Sequence, residues 1–287
     1  MEKVKQTLSK IFKYNPIPEY NFSLPDINSV NNESIQEPKK VMEVEKIFPS
    51  ISKNLEYIQS KYNVLINSDI ITREFNLYAG GNNYRAFLLY IDGMVDSNLL
   101  NDFVLKPLML RETNNFNINK KRIISETTNN NVTIRKVKKF DLGSYIENCL
   151  IPQNSIKKTD SFGKIFSGVN SGDCALFVDT LNLVFDIDVK GFKQREINKP
   201  ENEIVVKGSH EAFVENIRTN TSILRRVVNN ENLIIENFSV GDVTKTKCAI
   251  CYMNNIANSD LIAEIKYRIN NLGVDYVLST RSIRGTN

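Results

Sequence analysis

Few side chains in this chain are of a kind that does chemistry, and their spacing narrows the choice further. Cys248-Ala-Ile-Cys251 has the CxxC spacing of a redox dithiol or of half a zinc site. The motif lies inside Thr246–Tyr252, which reads as a strand, and strand residues three apart face opposite sides. Cys149 and Cys174 do not form a second CxxC, so the cysteines are expected to be buried and structural. Asp186-Ile-Asp188 places two carboxylates on one face of a strand, as a metal–nucleotide site requires. No GxxxxGK(S/T) or GxGxxG loop accompanies it, so a solvated hairpin face is the expectation. His210 is the only histidine, which removes His-rich metal centres and leaves little room for a Ser/His/Asp or Cys/His triad.

The remaining chemistry is ionic. Lys120-Lys-Arg122 and Arg135-Lys-Val-Lys-Lys139 are locally basic but carry no interleaved aromatics for base stacking. They read as a solvated face, or as a contact for lipid headgroups, and not as a nucleic-acid site. Gly208-Ser209-His210-Glu211 precedes a predicted helix over residues 211–226. Amides at a helix N-terminus can hold an anion, and Ser209 can equally cap them. Glu215, Arg218, Arg225 and Arg226 follow along that helix, with Arg195 and Glu203 just before it. Such charges either pair with one another and hold the fold, or offer an Arg and a Glu to the two ends of a ligand with a carboxylate and an amine. No cofactor motif is present, and no cofactor is expected.

The chain around these groups has 287 residues, 41% hydrophobic and 24% charged, which suits one large or two ordinary domains. Lys and Arg exceed Asp and Glu by 37 − 33 = 4, a mildly basic balance. No apolar run approaches the roughly 18 residues of a membrane span, and Met1-Glu-Lys-Val-Lys has no apolar stretch behind it to make a secretory signal. Four cysteines are too few for a disulfide scaffold.

The elements that must position these groups come from periodicity. Residues 1–45 hold Pro16, Pro18, Pro25 and Pro38 and no apolar period, and are expected to be a flexible tail. Ile51, Leu55, Ile58 and Tyr62 predict a helix over 50–62. Ile70–Tyr78 and Tyr84–Ile91 read as paired strands about Gly80-Gly-Asn-Asn83. Ser97 is expected to cap a helix that Pro107 ends or bends. Val132–Phe140 is a weakly patterned strand, and helices are expected over Asp141–Leu150 and Ser161–Ser167. Cys174–Asp179 and Leu183–Val189 form a second hairpin, and Arg195–Pro200 reads as a linker. Beyond it come a strand over Glu203–Lys207 and the helix 211–226, with Phe213, Ile217 and Leu224 facing inward. Strands are next expected over Leu233–Phe238 and Thr246–Tyr252. A helix capped at Asn258–Asp260 then turns Ile262, Ile265, Ile269 and Leu272 inward and stops at Gly273, and Tyr276–Leu278 is a last strand. The class is α/β or α+β in two lobes, 46–195 and 196–287, each a mixed sheet packed with helices.

One ordered set of segments is more specific than any of these motifs. It runs from Arg195-Glu-Ile-Asn-Lys-Pro200 through Glu203-Ile-Val-Val-Lys-Gly208, Glu211-Ala-Phe213-Val-Glu215 and Asn220-Thr-Ser-Ile-Leu224-Arg225-Arg226. It continues to Val240-Gly241, Thr244-Lys-Thr246, Ile250-Cys-Tyr252 and Ile265-Lys-Tyr-Arg268, with Tyr90–Asp96 and Lys106-Pro107-Leu108 upstream. Over residues 46–287 this resembles the soluble N-terminal region of the A subunit of GerA-type spore germinant receptors. The family commonly has Gly-Pro at Gly208-Ser209 and a basic residue at Val227. The resemblance implies a non-enzymatic domain on the cytoplasmic, core side of the inner spore membrane. It would work with B and C subunits and its own membrane part, absent from this sequence, to sense small nutrients such as amino acids or sugars. The candidate ligand-contacting residues in these segments, chosen for their charges and the helix N-terminus, are Arg195, Glu203, Gly208, Glu211, Glu215, Asn220, Arg225 and Arg226. The alternatives are an assembly module that binds no nutrient, the related SpoVA-operon ion-channel protein, and an enzyme built on Asp186 and Asp188.

Overall fold

The computed structural model describes residues 45–110, 140–191, 213–275 and 277. The expected tail, the basic stretches at 120–122 and 135–139, the strands at 132–139 and 203–207, the 195–200 linker and His210 lie outside them.

The centre of the larger unit is a five-stranded sheet in the order β1-β2-β4-β5-β3, and every pairing in it is antiparallel. The strands are β1 (Ile70–Ala79), β2 (Asn82–Ile91), β3 (Ile156–Thr159), β4 (Cys174–Val178) and β5 (Val184–Ile187). The expected α/β class with two helix-packed sheets is what the structure has, the larger sheet being antiparallel throughout. Sequence patterning missed β3, a short edge strand with two consecutive lysines.

Both faces of the sheet are buried, which is why Ala86–Ile91 reads as an unbroken apolar run. Alternate residues of β2 serve different layers. Ala86 and Leu88 join one core with Leu77, Leu176 and Phe185; Phe87, Leu89 and Ile91 join the other with Ala175, Phe177 and Val184. Register pairs Phe87 with Phe177, and their rings stack at 4.5 Å. The first face is covered by α2, in three consecutive stretches (Ser97–Leu99, Leu100–Leu105, Lys106–Met109), and by α3, in two (Leu142–Tyr145, Ile146–Leu150). The second is covered by α1 (Ile51–Lys61) and α4 (Phe162–Asn170). The result is an α/β fold of three layers.

Asp96, and not Ser97, caps α2: its carboxylate accepts from the amides of Asn98 and Leu99 at 2.8 and 3.3 Å. Pro107 does not end this helix. The turns over Leu100–Leu105 widen to π geometry, with the Lys106 amide reaching back to Asn101, and the helix passes through the proline to Met109.

After the linker region come α5 (Ile217–Val227), β6 (Leu233–Val240), β7 (Thr246–Met253) and α6 (Ser259–Asn270), with β6 and β7 paired in a two-stranded sheet. The helix expected over 211–226 starts later, because Asn216 caps it by accepting from the amides of Arg218 and Thr219. Asn220 then fixes the lead-in: its amide accepts from Val214 N–H and donates to Val214 C=O, both at 2.7 Å. Asn54 in α1 brackets Phe48 in the same way, at 2.8 and 2.9 Å. The buried face of α5 is polar, made of Thr221, Ser222 and Arg225, whereas Phe213 is 63% exposed.

By their contacts the described residues fall into two compact units. Residues 213–239 and 247–257 group with the five-stranded sheet, and Val240–Thr246 with the residues from Asn258 onward form a smaller unit. Within the smaller unit the amides of Asp242 and Val243 bond to the carbonyls of Val274 and Asp275. Its helix α6 buries Glu264 beside Arg268 and leaves Ile265 exposed, reversing the expected inward position of Ile265.

Candidate functional site

At the open end of the β1–β2 hairpin, Asp69 and Asp92 lie side by side, the Asp92 amide bonded to the Asp69 carbonyl at 2.7 Å. Helix α5 presents two arginines to them, seven residues apart and so on one face. The two pairs differ in burial. Arg225 is 1% exposed and grips Asp69 with both edges of its fork, Nε to Oδ2 and Nη2 to Oδ1, each at 2.8 Å. Its Nη2 also donates to Asn67 Oδ1 at 2.9 Å. Arg218 meets Asp92 through Nη2 alone, and both side chains stay about half in solvent.

Asn67 is the hub of the buried pair. Its Oδ1 also accepts from the Ile235 amide at 3.0 Å, and its Nδ2 donates to the carbonyls of Tyr62 and Leu233, both at 3.1 Å. Tyr62 continues the network to Asn170 at 3.1 Å, and burial first, then the Glu231 charge, pushes its hydroxyl well above the ordinary range. Nothing in the sequence marks Asn67 and Asp69: in Asn67-Ser-Asp69 they read as turn residues before a strand.

Beside Arg218 lies a cavity of about 390 Å³, within the usual range for small-molecule sites. Its walls are the 93–98 turn into α2, Gly191, and the first turns of α5 with Asn216, Arg218, Thr219 and Ser222. The wall at 94–96 is zipped to the chain leaving β5: Asp96 N–H bonds to Val189 O at 2.8 Å and Gly191 N–H to Met94 O at 3.1 Å. The N-terminal amides of α2 and α5 in this cavity are taken by Asp96 and Asn216. Among the residues that line it, Arg218 and Asp96 are the charged ones, and Asp96 Oδ1 is already engaged by the α2 amides.

The expected ligand set divides accordingly. Arg195, Glu203, Gly208 and Glu211 lie outside the described residues. Glu215 is exposed ahead of α5, Asn220 is engaged by Val214, and Arg225 is buried on Asp69. Arg226 is half-buried on the same helix. Arg218, seven residues before Arg225, is the member of this charged helix that lines the cavity.

The other motifs resolve as packing. Cys248 and Cys251 lie on β7 as free thiols, one half-buried and one exposed, so the expected burial holds only for Cys174. Asp186 is half-buried. Its carboxylate packs against α4, where a Cβ on Gly168 would sit 2.7 Å from either oxygen and would force the carboxylate to move. Burial, then the neighbouring Asp173 charge, raises its carboxyl to about 6. Asp188 is exposed, and Lys190 Nζ lies 2.7 Å from Asp173 and 3.9 Å from Asp188. Among the described residues no group of three or more His, Cys, Asp or Glu is arranged to hold a metal, and no helix is long and apolar enough to cross a membrane.

The family model of the Bacillus/Clostridium GerA spore germination protein matches residues 56–286. The chain belongs to the GerA spore germination family. Spore germination protein KA of Bacillus subtilis (strain 168) is 27% identical over 234 residues, covering 82% of this chain and 38% of its own length. Stage V sporulation protein AF of the same organism is 26% identical over 230 residues, covering 80% and 41%. This GerA-family chain thus spans less than half the length of either relative. The crystal structure of the N-terminal domain of the A subunit of the Bacillus megaterium spore germinant receptor GerK3 matches with a TM-score of 0.52 at 24% identity, over 79% of this chain and 74% of that one. The likeness shows that the two share a fold. The names these relatives carry are those of germination and sporulation proteins.

Proposed function

We propose that this GerA-family chain is the N-terminal domain of a germinant-receptor A subunit that recognises a small nutrient and couples it to a membrane-embedded part. In this reading the domain faces the cytoplasm at the inner spore membrane, and B and C subunits are its partners. The observation that carries it is the cavity with Arg218 and Asp96 on its walls, together with the polar groups of Ser97, Asn98, Asn216 and Thr219. A guanidinium and a carboxylate across one small polar cavity suit a ligand bearing both a carboxylate and an ammonium. Coupling has a physical route, because α5 forms one wall of the cavity and is anchored at its far end by Arg225 on Asp69. Contact between a ligand and Arg218 then loads a helix that is pinned one turn beyond the cavity.

The test is germination of spores whose full-length protein carries Arg218→Gln. The expected result is loss of the nutrient response with receptor levels and chain stability unchanged. A normal response would leave the chain as an assembly module that binds no nutrient.

A further inference from the structure

The cation of this cavity does not stand free, and its partner is placed to govern which ligands it takes. Asp92 is not part of the cavity wall, whereas Arg218 is. The aspartate holds the guanidinium from behind, through one nitrogen, and is itself fixed at the hairpin end by its amide bond to Asp69. Gly93 makes this approach possible. Its φ is +89°, and a Cβ there would lie 3.3 Å from Arg218 Cγ and 3.4 Å from Arg218 O, so a side chain would push the arginine off the turn. The contrast with Arg225 is informative. That fork is buried, with Nε and Nη2 taken by Asp69 and Asn67 and Nη1 enclosed without a partner, so it is closed to a ligand from solvent, while Arg218 is half-exposed and held by a single bond. With Asp96 also on the wall, two acids and one arginine stand about the cavity among the described residues.

We propose that Asp92 is a specificity-determining residue of the cavity: its carboxylate neutralises Arg218 and so sets the site against simple anions. This rests on the reading that the cavity receives a small ligand. A lone carboxylate entering the site must share Arg218 with Asp92, and it meets the repulsion of Asp92 and Asp96 with no cation of its own to offer them. Removing the Asp92 charge while keeping its shape should therefore improve the binding of a simple carboxylate. If Asp92 instead served to orient Arg218 for its ligand, the same change would weaken that binding.

The experiment uses the full 287-residue chain and two probes of one shape, propionate and its neutral isostere propionamide, followed by amide chemical shifts. Asp92→Asn should bind propionate about two- to fivefold more tightly than the parent, the range a half-exposed charge pair commands. Propionamide should bind both alike, and Arg218→Gln should lose the response to propionate. Melting of all three proteins checks that the buried Arg225–Asp69 pair is intact. If propionate shifts residues 93–98 and 216–222 but Asp92→Asn binds it equally or more weakly, the role of Asp92 is overturned and the cavity reading stands. If propionate moves those residues in neither protein, both fall.

Discussion

Asn67 uses every hydrogen bond its amide can make, and the four reach three stretches of chain: Tyr62, Arg225 on α5, and Leu233 and Ile235 on β6. Arg225 is fixed by that amide and by Asp69, and neither charge of the pair reaches water. Truncation of one partner strands the other in the interior. Arg225→Ala is expected to lower stability by about 3–5 kcal/mol, measured by denaturant unfolding; a loss below about 1 kcal/mol would show that the pair is not holding the helix. Asp186 carries the opposite sign. Its folded carboxyl titrates at about 6, above the ordinary carboxylate range, so the folded protein binds the proton more tightly than the unfolded chain does. Its contribution is neutral at low pH and becomes a cost as pH rises from about 4 through 6. Asp186→Asn should therefore stabilise the protein at pH 7 by about 1–2 kcal/mol after solvent screening, and leave it unchanged near pH 3.5. Equal effects at both pH values would contradict the burial of that carboxyl.

The same contrast appears among the helices. In α1 and α4 the buried face is mostly apolar, and the spacing of Ile51, Leu55 and Ile58 was legible as a helix. In α5 the buried side chains are Thr221, Ser222 and Arg225, so an apolar pattern points the wrong way and selects Phe213 and Leu224. The sequence also placed the start of this helix too early, since the cap at Asn216 and the clamp of Asn220 on Val214 depend on side-chain geometry that a count of polar residues cannot show. Asn220→Ala removes both bonds to Val214 and should cost about 1–3 kcal/mol, read from the melting temperature, with the largest rise in amide exchange at 213–217. Protection unchanged there would mean that the lead-in is held by something else. Strands were easier to read: β2 shows a continuous apolar run because it is buried on both faces, and the edge strand β1 shows alternation, with Phe75, Leu77 and Ala79 buried at every second position. β3 escaped because an edge strand shows solvent its lysines. The candidate site was half legible. Charges along residues 215–226 drew attention to the helix that lines the cavity, but which arginine is buried and which lines it depends on Asp69 and Asp92, over 120 residues away in sequence.

For the molecule as a whole, the antiparallel sheet, the two helical layers and the α5 anchor form one unit, and the residues about α6 form another. Family membership fixes the biological setting as spore germination, and the proposed role of the cavity in it is open to direct test. The most direct measurement is titration of the 287-residue chain with a panel of amino acids and sugars while its amide chemical shifts are recorded. A nutrient-binding cavity predicts a saturable response to at least one amino acid, centred on residues 93–98, 191 and 216–222 and abolished by Arg218→Gln. Saturable shifts centred elsewhere, or a response that survives Arg218→Gln undiminished, would contradict it.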